Sequence, residues 1–204
     1  MPATALGATA GNRLFYGILF LMSILLYRNY FYAGRVTVAE THYATLVSIV
    51  AVGYGCAALV SPVVTRRLTK PAYIAVLLAA SAVVSGALGV TFIEVAYLVM
   101  GFFLGLAGQG IAISATTVLQ EQAADSYRGR MFAFYDMMFN ISFVVGAAVT
   151  AQFMPVTGKS AGLIAGVAIG YAVVAAAYWM AARQSAGGGP DGSIPADAAQ
   201  ASSS

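Results

Sequence analysis

The sequence predicts an all-α membrane protein of six transmembrane helices, and three observations carry that expectation. Of the 204 residues 60% are hydrophobic and only 8% are charged, against roughly 25% charged in an ordinary soluble domain. The charges are segregated, which leaves uncharged runs at 43–65, 71–93, 95–120, 137–158 and 160–182. Each run reaches the ~20 residues a helix needs to cross a ~30 Å hydrocarbon layer. The runs are also continuously apolar, whereas the strands of a membrane barrel would alternate apolar and polar residues over ~10 positions.

The first span is short in its purely apolar part, 14–27, but continues through Arg28 and Asn29 into Tyr30, Phe31 and Tyr32, giving 14–33. Bulky aromatics at its end replace the small residues of a signal-peptide cleavage site, so it is expected as a retained helix. The remaining spans are predicted at 43–64, 72–92, 95–120, 131–153 and 161–182. Residues 1–12 are small and uncharged, and the sequence after Arg183 has no apolar period. Both ends are predicted disordered, so the expected organisation is a cytoplasmic segment 1–12, a membrane domain 13–183 and a tail 184–204.

The net charge is +3, and the basic residues fall in short loops, where they speak to topology and not to nucleic acid. With the amino terminus inside, Arg13, Arg66, Arg67, Lys70, Arg128, Arg130 and Arg183 are cytoplasmic, and Arg28, Arg35 and Lys159 face the other side. This bias predicts both termini in the cytoplasm of a plasma (inner) membrane protein. Cys56 is the single cysteine, so no intramolecular disulfide can form, and a small buried hydrophobe is its simplest reading.

Small residues recur at four-residue spacing: Gly53, Ala57 and Ser61; Gly101 and Gly105; Ser142, Gly146 and Thr150; Gly162, Gly166 and Gly170. Such stripes let helix backbones approach closely in a bilayer and predict a tight bundle. Polar residues are unevenly shared. Gln109, Thr116 and Gln120 occupy one sector of the fourth span, and Asp136 and Asn140 sit one turn apart on the fifth. The third and sixth spans hold little beyond Ser81, Ser85 and two tyrosines. Spans one, two, four and five are therefore expected to line a cavity, with three and six as outer supports.

Asp136 carries the sharpest chemical signal, because an ionisable group within a span is expensive and turns toward a cavity or a partner. Five positions past Met131, it lies ~8 Å into its helix. Two readings stand: a proton- or cation-binding group, or a structural partner of Arg128 or Arg130. Arg28, fourteen positions past Leu14, lies ~21 Å along its helix, so a direct pair with Asp136 is not expected. It either snorkels into an aromatic belt with Tyr27, Tyr30 and Tyr32 or contacts substrate at a cavity mouth. His42 reads as a loop histidine or a pH sensor. Gly158, Ser160 and Gly162 match a serine-hydrolase pattern without its strand-to-helix elbow or histidine partner. Metal, nucleotide and redox motifs are absent from the sequence, so no cofactor and no enzymatic activity are expected.

Between the fourth and fifth spans the chain reads Gln120, Glu121, Gln122, Ala123, Ala124, Asp125, Ser126, Tyr127, Arg128, Gly129, Arg130, followed by Met131 and Phe132. This acidic-then-RGR loop resembles the cytoplasmic loop between helices ten and eleven of the major facilitator superfamily. The loop from Ser61 and Pro62 through Arg66, Arg67 and Lys70 is similar to the basic loop after helix eight of that family. The resemblance, over about residues 12–183, implies one carboxy-terminal half built from two inverted three-helix repeats. It implies transport of a small organic or drug-like solute, proton-coupled when partnered. Arg28, Gln109, Thr116, Asp136 and Asn140 are then candidates for the substrate cavity, and Arg66, Arg67, Asp125, Arg128 and Arg130 for a cytoplasmic gate.

Two features depart from the family pattern. Only six helices are present, and Ser61 and Pro62 stand where the family's loop signature begins with glycine and aspartate. One half walls a cavity from one side only, so a second six-helix half, from another chain or a second copy, is the expected partner beside the bilayer and the substrate. The alternative is a non-transporting membrane scaffold or an inactive transporter remnant.

Overall fold

The computed structural model describes residues 2–122 and 128–187. The chain forms α1 (Pro2–Leu26), continued by a π-helical turn (Tyr27–Phe31), then α2 (Val36–Val64), α3 (Lys70–Gly89), α4 (Glu94–Gln122), α5 (Arg128–Phe153) and α6 (Ala161–Gly187). Among the described residues six helices are long and apolar enough to cross a membrane, as the uncharged runs predict, and no other regular structure is present. The protein is an integral membrane protein.

Three boundaries differ most from expectation. Helix α1 begins at Pro2, so residues 2–12 are helical where composition suggested disorder. Ala5, Ala8, Thr9 and Asn12 recur every three or four positions and are all buried. Ala5 packs with Ala115, Val118 and Leu119 of α4 and with Tyr135 of α5. Small residues that look featureless in water are suited to a helix interface in lipid. Helix α2 begins seven residues before the expected position, which carries Glu40 and His42 onto the helix. At the other terminus α6 extends to Gly187, and the rest of the tail lies outside the described residues.

The packing has an internal symmetry. The main contacting pairs are α2 with α4, α1 with α5, α3 with α6, α3 with α4, α1 with α6, and α1 with α4. Replacing each helix by the one three places along the chain maps this set onto itself. Consecutive spans run in opposite directions, so that replacement also reverses each helix, which is the relation between two inverted three-helix repeats. Helices α5, α1, α4 and α2 follow one another along one side of the bundle, and α3 and α6 pair on the other. Met22, Leu26, Ile74, Leu78, Ile111 and Ile164 form the core between α1, α3, α4 and α6. Helix α4 is the most buried span, and α2 and α5 are the most exposed.

Glycine makes the two tight crossings possible. A Cβ on Gly17 of α1 would collide with the Phe143 carbonyl of α5, and one on Gly146 would collide with the Leu14 carbonyl of α1. The repeat-related crossing has the same reciprocity: Gly53 of α2 lies against the Phe102 carbonyl, and Gly105 of α4 against that of Val50. The α6 stripe behaves differently. Gly170 meets the Phe15 ring, but Gly162 and Gly166 have nothing within 4 Å, so that part of the stripe makes no close crossing.

Candidate functional site

Starting α1 at Pro2 changes the standing of Arg13. It lies eleven residues into the helix, ~17 Å along it, and so within the span instead of ahead of it. Its guanidinium carbon sits 3.5 Å from the centroid of the Phe139 ring on α5 and 5.6 Å from that of Tyr16. Among the described residues no carboxylate pairs with Arg13, and its buried Nε has no hydrogen-bond partner. The neighbouring Asn12 is 3% exposed and accepts from the Tyr171 hydroxyl at Oδ1, 3.2 Å away, which ties α1 to α6.

Above Arg13 on α1, Tyr16 and Phe20 follow at helical spacing on the same face. Tyr16 comes within hydrogen-bonding reach of Tyr54 on α2, and Phe20 stacks near Phe143 and Tyr43 at 5.4 and 6.4 Å. A cleft of about 80 Å³ opens between α1, α2 and α4 here, lined by Tyr16, Phe20, Ser23, Tyr43, Val47 and Leu104 among others. Its walls are almost wholly apolar and aromatic. Arg13 does not itself line the cleft; it reaches its edge through Tyr16, whose ring centre lies 5.6 Å from the guanidinium carbon, and a cation within a span is expected to meet a solute or a partner charge.

The residues singled out from sequence are not gathered into one place. Asp136 is exposed on α5, eight residues past Arg128, and Asn140 Nδ2 donates to the Asp136 backbone carbonyl at 2.8 Å. These two share a face as their spacing predicts. Arg130 is exposed and forms no ion pair with Asp136; the Arg128 side chain and Asp125 lie outside the described residues. Thr116 donates back to Ala112 and Ile113 carbonyls of its own helix, at 2.9 and 3.0 Å, and Gln109 is partly buried on α4. Arg28 is exposed at the opposite end of α1, in a shallow hollow with Tyr27, Ala39, Glu40 and Tyr43. Arg66 and Arg67 are exposed in the turn after α2, beside the Lys70–Glu121 ion pair that joins α3 to α4.

At the end of the bundle that holds Arg28, three polar groups converge. Tyr32 donates to Glu94 Oε2 at 2.7 Å, and His42 Nδ1 lies 2.8 Å from Glu94 Oε1 and 2.8 Å from the Tyr32 hydroxyl oxygen. The cluster joins the end of α1, α2 and the start of α4. On the neighbouring loop Gly158 takes φ +74°, and a Cβ there would also meet Leu26 N at 2.5 Å. Ser160 caps α6 by accepting from Leu163 N at 3.3 Å. The hydrolase-like pattern is therefore a close-packed turn and a helix cap.

A six-helix membrane bundle of two inverted repeats, with a charged and aromatic seam on the side formed by α5, α1, α4 and α2, has the architecture of one half of a major facilitator superfamily transporter. Over 160 residues, 78% of its length, the chain is 32% identical to an uncharacterized MFS-type transporter of Mycobacterium bovis and, to the same extent, to one of Mycobacterium tuberculosis. The chain is a homologue of these MFS-type transporters, and that homology supports a transporter role. It spans 35% of the length of each of these curated relatives. No protein-family model and no solved structure matches it.

Proposed function

We propose that the chain is one six-helix half of a secondary transporter, of the carboxy-terminal type, which moves a small organic solute across the plasma (inner) membrane with proton coupling. The observation that carries this reading is the packing that maps α1–α3 onto α4–α6. That symmetry allows the α5–α1–α4–α2 side to rock against a second six-helix unit, contributed by the same polypeptide, another chain or a second copy. In this reading Asp136 is the proton-binding group, and Arg66, Arg67, Asp125, Arg128 and Arg130 latch the cytoplasmic side. The excess of basic residues at that end supports a cytoplasmic placement of both termini. Neither a metal nor an organic cofactor is part of the reading, and no enzymatic step is assigned.

The test is proton movement driven by solute in vesicles that contain the protein purified from its native membrane. A trapped pH dye reports the response to small organic cations, anions and neutral solutes added in turn. At least one class is expected to move protons with the wild type and not with Asp136→Asn at equal incorporation. Silence with all three classes would overturn the transport reading, and unchanged flux in Asp136→Asn would overturn the role of that residue.

A further inference from the structure

Arg13 is the one described arginine held deep within a span, and its setting is incomplete. Phe139 covers one face of the guanidinium at 3.5 Å and Tyr16 approaches it at 5.6 Å. Nε is shut off from solvent without a partner. An aromatic face compensates a desolvated guanidinium only in part. The usual solution, a bidentate carboxylate, is missing among the described residues. Asp136, the carboxylate on α5, lies three positions from Phe139 and is exposed without an ion pair.

We infer that Arg13 is the charge-recognising group of an organic-anion site, with the anion's apolar body in the aromatic cleft along Tyr16, Phe20 and Tyr43. This rests on the transport reading and deepens it by naming the substrate class, a small monocarboxylate or similar monoanion. Three observations converge on it: the buried Nε of Arg13 without a partner, the lack of a carboxylate paired with Arg13 among the described residues, and the cleft lined by Tyr16, whose ring centre lies 5.6 Å from the guanidinium carbon. The planar fork of guanidinium fits a carboxylate through two parallel hydrogen bonds, which an ammonium cannot reproduce. The cleft of about 80 Å³ fits a group of side-chain size, well short of a bulky polycyclic drug. Asp136 is the competing internal anion. When the site is empty, Arg13 can turn from Phe139 toward it; when the site is filled, the substrate carboxylate takes that place.

The test is equilibrium binding of benzoate, benzyl alcohol and benzylammonium to the full chain in lipid nanodiscs, read by saturation-transfer NMR. Wild type is expected to hold benzoate in preference to the other two. Arg13→Gln is expected to bind benzoate at least about tenfold more weakly, the loss of one charge-assisted pair of hydrogen bonds. Arg13→Lys, which keeps the charge and fold, falls between them. Benzoate binding unchanged in both variants, absent from the wild type, or weaker than benzylammonium binding would overturn the inference. Because binding needs no flux, selective benzoate binding without proton movement would overturn the transport reading alone. Flux of a cation without benzoate binding would overturn the anion site alone.

Discussion

His42 Nδ1 lies 2.8 Å from Glu94 Oε1, which fastens the start of α2 to the start of α4 at the end of the bundle away from Arg66 and Arg67. Tyr32 completes the contact by donating to the second carboxylate oxygen, so one carboxylate holds three segments of the chain. Tyr32 lies outside the spans, and its pKa is raised above the ordinary tyrosine value, first by that hydrogen bond and then by desolvation and the Glu94 charge. A raised pKa means the fold favours the protonated hydroxyl. The contribution is complete below the unfolded value of about 10 and is lost as pH climbs through the folded value. Melting of the wild type between about pH 9 and 11 is expected to decline more than melting of Tyr32→Phe. Parallel declines would contradict the assignment.

The glycine crossings predict a sharp positional contrast. Gly146→Leu and Gly105→Leu drive a side chain into the Leu14 and Val50 carbonyls, a loss of at least ~1–3 kcal/mol in a packed interface. Gly162→Ala and Gly166→Ala meet nothing within 4 Å and should leave stability unchanged. Thermal unfolding in detergent, followed by size-exclusion, separates the two sets. Equal tolerance at all four positions would contradict the crossings.

Ser160 accepts from Leu163 N as a helix cap, so Ser160→Ala should lower stability by about 1 kcal/mol. Gly158→Ala should be worse, because it adds a Cβ at positive φ against Leu26 N. Ester hydrolysis is expected from neither the wild type nor the variants, and serine-dependent hydrolysis would contradict the turn-and-cap reading. Chemical denaturation of each variant measures the first two effects.

The Lys70–Glu121 pair is partly open to solvent, with side chains 30% and 58% exposed. Such pairs contribute little, so Lys70→Ala and Glu121→Ala should each shift stability by less than about 1 kcal/mol. A double-mutant cycle with a coupling well above that would show this pair to be a structural latch.

The six spans were legible because lipid demands long uncharged helices, and a gap in charge is visible in one dimension. The beginning of α1 was not, since its burial depends on Ala115, Val118, Leu119 and Tyr135, residues more than a hundred positions away. That one boundary moved Arg13 from a loop into a span and hid it as a candidate. The spacing of Ala5, Ala8, Thr9 and Asn12 was the available signal. Asp136 and Asn140 were readable as a pair because their relation is a single helical turn. The Tyr32–His42–Glu94 cluster was not, because it needs the register of three helices at once. Gly53 and Gly105 were readable as a packing motif, but their spacing alone could not distinguish them from Gly162 and Gly166.

Light scattering on the detergent-solubilised particle purified from its native membrane gives its protein mass, which separates a half-transporter from a self-sufficient six-helix protein. A half-transporter predicts at least twice the 21.0 kDa of this chain, with twelve helices supplied by one polypeptide, two chains or two copies. A lone particle of 21.0 kDa would contradict it.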